Sequence, residues 1–421
     1  MKFTLCAIGS WGDVAPFISL GRTLLERGSD VVLAAPPEFA DAAASAGLDF
    51  RPVAPTCTPV VEAASGTTGA TLRAIPLLLR ATRILTEETL GELPSIADGS
   101  RMLVATGIAY AAPHVADALG IAYRAVTVCP RWYPSEHHPP ATERAPKRPK
   151  IINSAAWWAT EWITNHTLDG PVNRWRRRQG LSPAAGLYTR MIGLPGQRLL
   201  AADEELAPLP ADVEGTRRVS AIQAFQADSL PENVEDFLAS GDRPVYIGFG
   251  SMRATDAGRL LDVVFESAAT LNVRTIVPHK WVQATGRRMP DGCLAVGHVA
   301  HSRLFPRLAA VVHHGGAGTT TTAARAGVPQ VVVPHVMDQH YWGYRVHELG
   351  IGPAPLGYKR LSPRTLTAAL RKSIDPSVTA EKARALACHL DGRDGAGELA
   401  GLLCDDLTFA RQGGLLSEER V

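Results

Sequence analysis

Residues 308–338 constrain the fold of this chain more than any other stretch. An apolar run, Leu308–Val312, ends in His313-His314 and a glycine-rich loop, Gly315-Gly316-Ala317-Gly318. Thr319–Arg325 then reads as a helix, Gly327 and Pro329 stop it, and a second apolar run follows at Gln330–Val333. Strand, glycine loop, helix and strand make up a parallel α/β unit. A loop that opens a helix in this way is an anion site, because the first N–H groups have no intrahelical acceptor and the helix dipole adds partial positive charge. Histidines at its lip suggest phosphate or diphosphate. Asp338-Gln339, just past the second strand, falls on the same carboxyl edge of the sheet, where it meets hydroxyls beside the phosphate.

The same order recurs elsewhere. Lys2–Ile8 reads as a strand, Gly9–Ala15 as a loop, Pro16–Arg27 as a helix and Val31–Ala35 as a strand. In the second half, Pro244–Phe249, Gly250–Thr255, Arg259–Leu271 and Val273–Val277 repeat strand, loop, helix and strand. Both halves are therefore expected to hold parallel sheets. A chain of 421 residues is long enough for two domains. The expected division is an N-terminal domain over 1–225, a polar, turn-rich linker over 226–243 and a C-terminal domain over 244–421, whose last helix packs back on the first domain. Arg131–Arg178 stands apart, with Trp132, Tyr133, several prolines, a basic run and then Trp157, Trp158, Trp162 and Trp175. Gly392–Val421 is weakly patterned and is expected to be partly mobile.

Bulk properties exclude several classes. Hydrophobic content of 46% and charged content of 20% are those of a soluble globular protein. A net charge of +2 gives no reason to expect a nucleic acid or an acidic partner. The 6 cysteines are scattered, without C-x-x-C or zinc-ligand spacing, so reduced thiols and a cytoplasmic setting are expected. Met1–Ile8 has the charge and apolar residues of a signal start, but it runs directly into a glycine loop and is read as the first strand. No run approaches the ~18 apolar residues of a membrane span.

Several residues carry alternative readings. Asp13 follows the first strand, where a carboxylate either takes a proton from a substrate hydroxyl or simply stabilises the start of a helix. Of His313 and His314, strand alternation turns at most one toward the loop. Gly248-Phe249-Gly250-Ser251 is a tight turn or part of a nucleotide site, and G-x-G alone does not decide. The chain has no P-loop motif and no G-x-S-x-G elbow. The tryptophan-rich segment is core, the wall of a lipophilic pocket or a membrane-facing surface.

These blocks together resemble an inverting GT-B glycosyltransferase of family 1. They are G-S-W-G-D-V-A-P-F near the start, P-V-Y-I-G-F-G-S-M in the second half, and H-H-G-G-A-G-T-T with G-V-P and D-Q after it. They are similar to bacterial glycosyltransferases acting on glycopeptides and macrolides. D-Q-H-Y-W-G-Y-R-V-H-E-L-G-I-G-P is closer still to the sterol glucosyltransferase branch. The resemblance implies an α/β GT-B fold, with two Rossmann-like domains facing across a cleft. The acceptor would bind in the first domain and the nucleotide-sugar in the second. It makes Asp13 the general base. His314, Gly316, Ala317, Gly318 and Thr319 would hold the diphosphate, Ser251 would lie nearby, and Asp338 and Gln339 would hold sugar hydroxyls. The Val296–Val299 stretch, Val299 included, would lie beside the base.

Acceptor contacts are expected from Trp11, Trp132, Tyr133 and His137, although His137 also reads as surface loop. Trp11 stands where relatives usually carry Arg, and Thr322 where plant-type members carry a Glu that holds the ribose. The expected reaction uses a dTDP- or UDP-sugar and a lipophilic small-molecule acceptor, with no metal and no cofactor, in a monomer or weak dimer without a stable membrane span. A sterol or lipid glucosyltransferase is the alternative, and a non-catalytic protein of the same fold is a remote one. A nicotinamide-dependent oxidoreductase is disfavoured, because Gly9-Ser10-Trp11-Gly12 is not G-x-G-x-x-G.

Overall fold

The computed structural model describes residues 1–54, 75–146, 148–225, 229–250, 256–374 and 378–418. Two fully parallel sheets organise it. The first holds β1 (Lys2–Ile8), β2 (Asp30–Ala35), β3 (Asp49–Pro52), β4 (Met102–Gly107), β5 (Ala122–Thr127), β6 (Arg198–Ala201) and β7 (Thr216–Val219), in the order β3-β2-β1-β4-β5-β6-β7. The second holds β8 (Val245–Ile247), β9 (Thr275–Pro278), β10 (Cys293–Val296), β11 (Ala310–His313) and β12 (Gln330–Val332), in the order β10-β9-β8-β11-β12. Each order reverses direction once, between β1 and β4 and between β8 and β11. A parallel sheet opens a crevice at that point, past the carboxyl ends of its strands.

The inner strands are covered on both faces and read as nearly continuous apolar runs, whereas the edge strands β3 and β7 carry Asp49, Arg51, Arg217 and Arg218. Phe3, Leu5 and Ala7 of β1 face one cluster while Cys6 and Ile8 face another. Helix α1 (Trp11–Glu26) packs Val14, Phe17, Ile18 and Leu24 on the first of these. It begins at Trp11, within the stretch expected as a loop, because Ser10 and Asp13 cap it; Pro16 lies inside the helix and does not start it. The proposed 226–243 linker contains a helix, Glu232–Ala239, whose Val234 and Leu238 pack with Tyr246 and Ile276 of the second sheet.

The tryptophan-rich region contains a 29-residue helix, Lys150–Arg178, packed against the Ile75–Ala97 helix. The sequence hid it for a physical reason. Its buried side includes Asn153, Thr164, Asn173 and Arg176, whereas Trp158 and Trp162 are exposed, and Pro171 lies inside it. The polar residues are buried because they bond neighbouring backbone: Asn153 donates to Glu136 O, and Asn173 donates to Ala184 O.

The weakly patterned C-terminus is helical over Gly395–Glu418. Its Leu399, Ala400, Leu403 and Leu407 join the α1 side of the first core, and Asp406 accepts hydrogen bonds from Arg124 and Arg217.

Candidate functional site

The first crevice is built by the ends of β1 and β4. Asp13 occupies the third position of α1, and its Oδ2 accepts the Ser10 N–H at 2.8 Å and the Ser10 hydroxyl at 3.2 Å. A Cβ on Gly107 would lie 2.0 Å from Ile8 O and 3.5 Å from Asp13 Oδ1. Glycine at φ +73° is therefore what lets the two strand ends close around that oxygen. Thr106, Gly107, Val126, Thr127, Trp132 and Ile192 line one cavity with Asp13. Removal from water pushes the Asp13 carboxyl above its usual range, and the two Ser10 bonds pull it partly back.

The second crevice is built by the ends of β8 and β11. His313 ends β11 fully buried; its Nδ1 accepts the Gly315 N–H at 3.0 Å, so its Nε2–H donates to Gln330 Oε1 at 2.9 Å. Gln330 in turn donates to Thr320 O. This chain of bonds fixes the bend of the glycine loop. His314 points the other way. Its ring sits between two glycines: a Cβ on Gly250 would be 2.9 Å from its Cε1, and one on Gly316 would be 2.7 Å from its Nε2. Among the described residues nothing hydrogen-bonds the buried His314 Nδ1. Burial, then the neighbouring His313, His335, His301 and Lys280, lower its pKa to about 3, so the ring is neutral.

Helix Ala317–Arg325 starts at Gly316, which offers no side-chain cap. The first closing bond runs from Thr320 N to Gly316 O, so the N–H groups of Ala317, Gly318 and Thr319 precede the ladder. Thr322 returns its hydroxyl to Gly318 O at 2.8 Å. Asp338 opens the next helix, Gln339–Glu348, and accepts the indole N–H of Trp342 at 3.1 Å.

The crevices face each other. Asp338 is raised to about 6, chiefly by burial and further by the charge of Asp13 across the cleft, against the opposing Trp342 bond. Trp11 meets Phe39 on its own side and His298 of the other half, each at 6.0 Å between ring centroids. Behind the cleft, the fully buried carboxylate of Asp203 accepts Arg325 at 3.1 and 3.3 Å, and Arg345 donates to Glu205 O and Leu206 O at 2.9 Å each. The two helices that begin at the second crevice are thus tied near their C-terminal ends to one stretch of the first half.

Asp13 and Trp132 share a cavity, while His314, Gly316, Ala317, Gly318 and Thr319 form one loop and helix start. Val299 is buried in a cluster with Tyr246, Ile276 and Val296. Gln339 commits its Oε1 to the N–H groups of His335 and Val336 at 2.8 and 3.1 Å and so shapes the turn before Asp338. Ser251 lies outside the described residues.

Two of the expected acceptor residues do not line the Asp13 cavity. Tyr133 has 0% exposure; its hydroxyl accepts from Thr127 and donates to Leu199 O, so it packs as core between β5 and β6. The short turn Pro130–Trp132 leaves Trp132 at the cavity and directs Tyr133 inward. His137 is exposed beside Glu136 and does not line the Asp13 cavity. Two contributors were missed. The Ser10 cap was legible as Ser-x-x-Asp before an apolar helix. Lys280, which donates to Gly250 O beside His314, carries no local signal, because only the fold brings the end of β9 to the end of β8. Among the described residues no cluster of three His, Cys, Asp or Glu could hold a metal.

Comparison with known proteins agrees in both halves. Residues 3–137 match the glycosyltransferase family 28 N-terminal domain, and residues 262–403 match the C-terminal domain described as erythromycin biosynthesis protein CIII-like. Vancomycin aglycone glucosyltransferase of Amycolatopsis orientalis is 35% identical over 418 residues, covering 96% of this chain and 97% of that protein. The dTDP-epi-vancosaminyltransferase of the same organism is 31% identical, covering 90% and 91%. A sterol 3-beta-glucosyltransferase of Arabidopsis thaliana is 29% identical, covering 94% of this chain and 66% of that protein. The kitacinnamycin glycosyltransferase structure superposes with a TM-score of 0.73 at 18% identity, covering 96% of this chain and 99% of that one. The glycosyltransferase of Streptomyces sp. SF2575 complexed with thymidine diphosphate gives 0.64 at 22%, with coverage of 96% and 99%.

Proposed function

This chain belongs to the GT-B glycosyltransferases, and we propose that it transfers a sugar, with inversion, from a dTDP- or UDP-sugar to a hydroxyl of a lipophilic natural-product aglycone. The observation that carries this reading is the opposition of the two crevices. A desolvated carboxylate, Asp13, stands on one side. On the other are an uncapped helix start and a neutral histidine with a free ring nitrogen. One is suited to accept a proton, the other to hold a leaving diphosphate.

In the proposed reaction, Asp13 Oδ1 takes the acceptor proton as the acceptor oxygen bonds the anomeric carbon from the face opposite the diphosphate. The bond from that carbon to the diphosphate oxygen breaks, and its electron pair leaves with the diphosphate. Charge grows on the leaving group in the transition state, where the N–H groups of Ala317, Gly318 and Thr319 and the His314 ring stabilise it most. Those fixed donors perform the electrostatic work that a metal does elsewhere, so no step requires one. Asp338 is placed to accept from sugar hydroxyls, and Trp132 gives the acceptor an apolar wall.

The similarity to a dTDP-epi-vancosaminyltransferase supports a thymidine nucleotide donor. The similarity to an aglycone glucosyltransferase favours a natural-product acceptor over a sterol. Mass spectrometry of products from UDP- and dTDP-sugars, each with glycopeptide, macrolide, aromatic polyketide and sterol aglycones, tests the assignment. A glycoside of inverted anomeric configuration on a natural-product aglycone is expected. Retention of configuration, or transfer confined to sterols, would overturn it.

A further inference from the structure

The exposed apolar surface is concentrated in one place. Ten large apolar side chains stand exposed among the described residues, and seven of them, Leu77, Ile84, Ile151, Ile152, Trp158, Trp162 and Ile163, lie on two helices that pack on each other, Ile75–Ala97 and Lys150–Arg178. On the longer helix Ile151, Ala155, Trp158 and Trp162 follow at intervals of four, three and four residues, which is one face. Trp158 is 69% and Trp162 48% exposed, and their rings stack on each other at 6.4 Å. Trp162 also meets the His166 ring at 4.0 Å, while most of the Trp158 indole is left in water. The neighbouring Trp157 shows the contrast: it is buried and donates to His138 O.

Charge identifies the occupant. Residues 143–178 hold eight Lys or Arg against Glu143, Glu161 and Asp169, and Lys150, Arg174 and Arg176 pair with Glu136, Glu87 and Asp117 of neighbouring segments, which leaves a net +2. Arg144 before the apolar row and Arg177 and Arg178 after it flank it, whereas Arg148, Lys150 and Arg174 are paired with Glu143, Glu136 and Glu87. Glu161, the one acid between Ile151 and Leu168, is turned inward, where it accepts the N–H groups of Tyr188 and Thr189. A second copy of the same face would bring positive charge against positive charge. An apolar row of Trp and Ile with cations at both ends is the pattern of a helix that lies in a lipid headgroup region. No helix of the described chain is long and apolar enough to cross a membrane, so the contact would be peripheral.

We propose that the outer face of the Lys150–Arg178 helix, with the adjoining Ile75–Ala97 helix, docks the enzyme on an anionic lipid surface. Trp158, Trp162 and Ile151 enter the headgroup layer, and the flanking arginines meet lipid phosphates. The proposal is independent of which sugar and aglycone the cleft accepts.

Co-sedimentation of the full chain with phosphatidylcholine vesicles, with and without phosphatidylglycerol, tests it. Binding is expected to the anionic vesicles, to weaken as salt screens the cations, and to fall about tenfold or more in Trp158→Ser/Trp162→Ser. Arg177→Glu/Arg178→Glu should reduce the dependence on phosphatidylglycerol. Both pairs lie on the surface, so unchanged melting temperature and unchanged nucleoside-diphosphate binding show that the fold is intact. Absence of wild-type binding to anionic vesicles, or equal binding by the Trp158/Trp162 variant, would overturn the proposal. So would concentration-dependent self-association that the variant abolishes, since that would make a second copy the occupant.

Discussion

The two crevices have the same topology and opposite chemistry. In each, a strand hands over to a helix at the point where strand order reverses. At the first, the helix carries its own anion: Asp13, at the third helical position, bonds back to Ser10. At the second, the equivalent third position is Thr319, the cap is Gly316, and no side chain meets the first N–H groups. Where the chain supplies the carboxylate, the crevice can receive a proton; where it withholds one, the helix start remains available to a ligand anion.

Removing the first carboxylate should have the largest effect. Asp13→Asn keeps a residue that caps helices, and it should lower turnover by ~10²–10⁴ while nucleoside-diphosphate affinity is retained. Steady-state kinetics with calorimetric binding checks this; near-normal turnover in the folded variant would remove Asp13 from the reaction.

Copying that carboxylate into the other crevice should come next. Thr319→Asp places an anion where the diphosphate is proposed to lie, and roughly tenfold or greater loss of nucleoside-diphosphate affinity is expected from repulsion and the occupied helix start. Unchanged affinity would mean that the helix start is not the anion site.

The paired histidines sharpen the second crevice further. His314→Ala should weaken nucleoside-diphosphate binding about tenfold by removing a hydrogen bond to a charged group. His313→Ala should weaken it less and act mainly on the melting temperature. It strands the Gly315 N–H and Gln330 in the core, at about 1–3 kcal/mol.

The smallest effect concerns communication across the cleft. Asp338 is raised to about 6, so below that pH the folded protein holds a proton that the unfolded chain releases at the usual carboxylate pH. This contribution to stability is present at low pH and is lost as pH rises through about 6. Part of the rise comes from Asp13, so Asp13→Asn should narrow the window from its upper end. Melting temperatures of both proteins between about pH 4 and pH 7 measure it; identical profiles would show that Asp13 and Asp338 do not sense each other.

The reverse lesson comes from two adjacent aromatic residues. Trp132 lines the Asp13 cavity, whereas Tyr133 is sealed between β5 and β6. Composition marked both as pocket residues, because a cluster of aromatics looks alike in a list whichever way each side chain turns. The Lys150–Arg178 helix was obscure for a related reason: its buried face is partly polar and its exposed face partly apolar, so hydrophobic periodicity points the wrong way.

What the sequence determined by itself was local and repetitive. The apolar run of β1, the glycine loop after His314 and the strand–helix order of both halves are set by steric and hydrophobic rules acting within a few residues, and these were legible. Tertiary structure alone decided what distant segments share. It brought Lys280 to Gly250 and Trp11 to His298. It set the charge of Asp13 against Asp338, and it tied Arg325 and Arg345 to residues 203–206. Those contacts join residues up to hundreds of positions apart. Their energies depend on burial and on distances of a few ångströms, which no spacing along the chain encodes.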